Sequence, residues 1–133
     1  MQFYKLFYNE KSGNYDYKDG EGIEVCIVGC FLLSDVRCNT QLFSAWILAD
    51  KNDPNSKFSH SIGGNLTQLE EYEGNVFLRE WFSEEEVPTE IAIPREQFIK
   101  LLDDWENKVC KSRPQEVIIK YENSEYSIET KNG

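Results

Sequence analysis

This sequence is short of the residues on which most chemistry depends. In 133 residues it holds one histidine, one methionine and four prolines, with 14 basic residues against 24 acidic ones. A serine or cysteine nucleophile needs a base, and His60 alone leaves little room for a catalytic triad. Ser59 and Ser61 flank it on what reads as a strand, so both would point to the face opposite the imidazole. GxGxxG, GKS or GKT, HExxH and DxDxDG are all missing. No apolar run approaches the ~20 residues of a membrane span. The start, Met1-Gln2-Phe3-Tyr4-Lys5, lacks the charged and apolar regions of a signal peptide, so a cytoplasmic protein is expected. Lys and Arg are too few and too scattered to neutralise a run of phosphates or to hold an anionic membrane surface. Neither nucleic acid nor membrane is an expected partner. The chain is read as a non-enzyme without cofactor.

The cysteines are sparse as well. Cys26, Cys30, Cys38 and Cys110 are even in number and would permit two disulfides. The chain is neither small nor cysteine-dense, however, and CxxC spacing is absent. Zinc is the sharper alternative, but His60 stands far from the thiols in sequence. The expectation is four reduced, mostly buried thiols and no metal.

What the chain does have is concentrated acid. Its formal net charge is −10, and residues 70–90 alone carry eight glutamates against one arginine, Arg79. Tyr72, Phe77, Trp81 and Phe82 are interleaved with them. Carboxylates steer a cationic partner, and rigid rings anchor it after contact. Disordered acidic tails are poor in aromatics, so this stretch is expected to fold. The candidate partner-binding residues are Glu70, Glu71, Tyr72, Glu73, Trp81, Glu84, Glu85 and Glu86. Three alternatives compete with that reading. They are a solvated acidic face, an acidic adaptor domain with some other basic partner, and an enzyme whose glutamates hold a metal.

The pattern along the chain predicts a single α+β domain over 1–133, an antiparallel sheet with one long helix packed on one face. The opening segment, with Phe3 and Phe7 alternating against Tyr4, Leu6 and Tyr8, reads as a strand. Residues 11–22 read as turn-rich, with Asp19-Gly20 as a turn signal. The Val-, Ile- and Cys-rich run 23–33 predicts a central buried strand in which Gly29 marks a bulge or a close backbone approach. Residues 42–49 and 58–62 predict further strands around a loop at 50–55. Leu66, Leu69 and Tyr72 have helical spacing, but Glu73-Gly74-Asn75 followed by Val76-Phe77-Leu78 favours the turn of a hairpin over 66–82. Phe98, Leu101, Leu102, Trp105 and Val109 recur at helical spacing and predict an amphipathic helix over about 94–111, opened by Pro94 and stopped before Pro114. A C-terminal hairpin follows, turning at Asn123-Ser124.

Several of these segments carry a resemblance. Pro88-Thr89-Glu90-Ile91-Ala92-Ile93-Pro94, then Phe98-Ile99-Lys100-Leu101-Leu102-Asp103-Asp104-Trp105, then Pro114-Gln115-Glu116-Val117-Ile118-Ile119 resemble small immunity proteins of bacterial contact-dependent growth inhibition and related polymorphic toxin systems. The resemblance covers the C-terminal third and supplies no binding signature of its own. It implies a cytoplasmic protein that binds the C-terminal domain of a cognate toxin, often a nuclease, and neutralises it stoichiometrically. A nuclease cleft is basic because it holds a polyanion, and an acidic inhibitor suits it.

Overall fold

The two ends of the sequence come together in one sheet. The computed structural model describes residues 1–64, 67–80 and 90–132. β1 (Gln2–Asn9) pairs on one edge with β2 (Asn14–Glu21) and on the other with β7 (Glu116–Glu122), which pairs with β8 (Glu125–Lys131). The middle of the chain makes a second sheet, ordered β3 (Ser61–Gly63), β4 (Thr67–Tyr72), β5 (Asn75–Glu80) and β6 (Glu90–Pro94). Every pairing in both sheets is antiparallel. Among the described residues three α-helices accompany them: α1 (Ile23–Cys30), α2 (Thr40–Leu48) and α3 (Arg95–Asp104). The α+β class is as expected, but two four-stranded sheets replace the single sheet with one helix on its face. Among the described residues no helix is long and apolar enough to cross a membrane.

The largest departure from the sequence reading is residues 23–33. They form α1 and a π-helical turn, Phe31–Val36, in place of a central strand. Val25, Val28 and Leu32, with Ile27 and Phe31, are buried at helical spacing. A helix apolar on nearly all sides has no polar stripe to reveal its period, because it is meant to be enclosed. The helix start is supplied from elsewhere in the chain: Gln2 Oε1 accepts the Val25 N–H at 3.2 Å, and Gln2 Nε2 donates to Glu24 at 2.6 Å. Gly29 does mark a close approach, since a Cβ there would lie 2.4 Å from the Tyr4 ring.

Residues 42–49 are likewise helical. Phe43, Trp46 and Ile47 are buried while Ala45 is exposed, so the face follows i, i+3, i+4 and not alternation. The turn-rich stretch 11–22 holds all of β2, whose Tyr15 and Tyr17 pack beside Tyr8 and Tyr4 with ring centroids 5.4 and 4.9 Å apart. The strand expected over 58–62 contracts to Ser61–Gly63.

The helix expected over 94–111 divides in two. It is α-helical to Asp104 and π-helical over Trp105–Cys110, closing with Lys111 N–H to Glu106 O at 3.0 Å. Its five apolar positions, Phe98 to Val109, are all buried. The terminal strands β7 and β8 form the expected hairpin turning at Asn123-Ser124, but as half of a four-stranded sheet with β1 and β2. α1 and α3 each pack on both sheets, so one hydrophobic core runs through the molecule.

The thiol expectation fails at two positions. Cys38 and Cys110 are disulfide-bonded, joining residues 72 apart in sequence, and Cys38 is exposed. Sequence spacing carries no information about which distant thiols the fold brings together, and here the two π-helical turns end side by side. Cys26 and Cys30 remain free and half-buried, and burial raises both thiol pKa values.

Candidate functional site at a hairpin tip

β4 alternates as a strand must, and the alternation separates the candidate acids. Thr67 and Leu69 are buried, and Glu71 follows them onto the inner side; Gln68, Glu70 and Tyr72 take the other. Glu71 faces inward because two cations await it there. Its carboxylate lies 2.5 Å from Lys51 Nζ and 3.2 Å from Arg95 Nε. The Lys51 side chain is only 3% exposed, lies over the Trp46 ring at 4.9 Å and donates to Ala49 O at 3.3 Å. Arg95 also donates from Nη2 to Ile47 O at 3.1 Å and from its backbone N–H to Gly74 O at 2.9 Å. Glu71 is therefore a brace between the hairpin, the loop after α2 and the start of α3. Removing it would leave a buried ammonium without its carboxylate, the costly half of breaking an ion pair.

Bracing makes the tip a fixed platform. The two loop residues, Glu73 and Gly74, have φ of 52° and 80°, the positive values that a two-residue type I′ turn requires. Glu73 is exposed there. Tyr72 is 48% exposed, and its ring stacks on His60 with centroids 5.4 Å apart and planes 16° from parallel. His60 is held in turn, with Nδ1 3.1 Å from Glu71 O and its own carbonyl accepting the Glu71 N–H at 2.8 Å. The only histidine is thus a support for the tyrosine. A shallow cleft of about 280 Å³ lies against this group, bounded by Asp50, Asn52, His60, Tyr72 and Glu73.

The structure brings Glu71, Tyr72 and Glu73 to one cleft, with Glu70 half-buried on the outer side of β4. Trp81, Glu84, Glu85 and Glu86 lie outside the described residues. Asp50 joins the cleft although its sequence context showed only a loop. Strand parity could have separated Glu71 from Glu70; nothing local pointed to Lys51 and Arg95 as its partners. The arrangement offers carboxylates and a supported aromatic face, which suits recognition of a cationic surface. No known protein family, curated protein or solved structure matches this chain.

Proposed function

We propose that this chain is an immunity protein that binds and neutralises a cognate basic toxin domain of the nuclease class, with the β4–β5 tip as part of the contact surface. The observation that carries the reading is Tyr72. A large ring held open to solvent by a stacked histidine, beside Glu73 and Asp50, costs burial that folding would otherwise gain. Rings so placed serve as interface anchors, and the surrounding acids supply attraction and choice of partner. Glu84, Glu85, Glu86 and Trp81 belong to the same proposal through their charge and ring. The same reading puts the protein in the cytoplasm. Disulfides persist in oxidising surroundings, so the Cys38–Cys110 bond pulls against that placement.

Co-expression with the product of the neighbouring reading frame tests the proposal. The expected result is a stoichiometric complex that survives purification and rescue of cells from that product's toxicity. A non-toxic neighbour, or a toxic one that neither binds nor is neutralised, would overturn the immunity reading.

A further inference from the structure

A second cleft, of about 400 Å³, opens where the two π-helical turns meet the β1–β2 hairpin, and it shares no lining residue with the hairpin-tip cleft. Half-buried Leu33 and Tyr15 form its apolar side, over the buried Trp105 and Val109, and the Cys38–Cys110 bond ties its walls together. Two arginines stand on it, Arg37 and Arg113, each placed by an unusual backbone with φ of 51° and 48° just beyond a π-helical turn. Left-handed backbone at a non-glycine residue is uncommon, and here it occurs twice at one opening. Arg113 Nη1 donates to Gly13 O at 3.2 Å, and among the described residues no ion pair engages either guanidinium. In a chain of net charge −10 these are two cations left available beside an apolar wall.

We propose that this cleft binds a small monoanionic carboxylate with a flat apolar body. A guanidinium matches a carboxylate with two parallel N–H···O bonds. The apolar wall takes the flat remainder, as in most small-molecule sites. Asp16 decides the charge of the ligand. It also lines the cleft, accepting from Asn9 Nδ2 at 2.9 Å, and its carboxylate opposes a dianion more than a monoanion. Inorganic phosphate is therefore disfavoured relative to benzoate. The Trp105 indole N–H donates to the Arg37 carbonyl, so an anion held by Arg37 registers at that indole proton.

The test is a titration of the oxidised protein with benzoate and with inorganic phosphate, followed by the Trp105 indole resonance in proton–nitrogen correlation spectra. Trp105→Phe assigns the signal. Benzoate should give a saturable shift, weakened about tenfold by Arg37→Gln or Arg113→Gln and lost in the double variant, with the remaining spectrum native. Asp16→Asn should narrow the preference for benzoate over phosphate. Absence of a saturable benzoate shift, unchanged affinity in a natively folded double variant, or tighter binding of phosphate than benzoate would each overturn the proposal.

Discussion

Two hairpins of this molecule are built alike and finished differently. Both β4–β5 and β7–β8 turn through two residues with positive φ: Glu73 and Gly74 in one, Asn123 and Ser124 in the other. Both tips are held by the first turn of α3. Arg95 grips the first through Gly74 O and Glu71, and Gln97 grips the second, donating to Ser124 O at 2.9 Å and accepting from Tyr126 N at 3.3 Å. Each carries a stacked tyrosine. Tyr126 lies on Tyr121 with centroids 4.3 Å apart and is 5% exposed, whereas Tyr72 lies on His60 and is 48% exposed. One ring completes the core and the other is presented. Shared scaffolding and opposite exposure support the proposed partner contact at Tyr72.

The largest effect should fall on the π-helical continuation of the helix that holds both tips. Trp105 is 2% exposed and its indole N–H is bonded to Arg37 O, so Trp105→Ala should cost about 3–5 kcal/mol in urea unfolding. A loss below about 1 kcal/mol would show that this continuation is not anchored in the core.

The tyrosine pair sharpens the contrast. Tyr126→Ala should cost roughly 3 kcal/mol, by analogy with other buried aromatics. Tyr72→Ala should cost no more than about 0.5 kcal/mol, as surface substitutions do. Equal losses would erase the distinction between the hairpins.

The grips can be separated next. Arg95→Gln should cost about 1–3 kcal/mol and speed amide exchange at the β4–β5 tip alone. Gln97→Ala should cost about 1 kcal/mol and loosen only the β7–β8 tip. Exchange that rises at both tips in either variant would mean the two are not held independently.

A smaller effect comes from alkali. Burial holds the Tyr15 phenol up at about 12, and its hydroxyl donates to Pro114 O at 2.5 Å; burial raises Tyr126 as well. Unfolded tyrosines release their protons near pH 10. Between pH 10 and about 12 the folded protein therefore holds more protons than the unfolded chain, and stability falls as pH rises. Tyr15→Phe should flatten that fall in thermal melts, and an unchanged slope would remove Tyr15 as its source.

What sequence pattern could and could not reveal follows from where each signal is stored. The faces of α3 and the β4–β5 turn were legible because one side of each meets water, so periodicity survives in residues such as Phe98, Leu101 and Val76. α1 was misread because both sheets enclose it, which leaves Val25 to Leu32 apolar whatever their direction. β2 was missed because an edge strand of Asn, Tyr and Asp looks like a loop until Tyr15 and Tyr17 find rings on β1. At the site, acidity and aromaticity were visible, but the inward turn of Glu71 depends on Lys51 and Arg95, and the Cys38–Cys110 bond on two distant turns. Such pairings are properties of the fold.

The most direct measurement is the association rate of the proposed cognate toxin domain with wild type, Glu70→Lys/Glu73→Lys, and Tyr72→Ala, at low and at physiological salt. Charge reversal should slow association at low salt, and the difference should shrink as the screening length falls to about 8 Å. Tyr72→Ala should instead speed dissociation, as loss of a desolvated anchor does. Unchanged rates in both variants, with native circular dichroism, would contradict a partner-binding role for the tip and return its charge to a solvated surface.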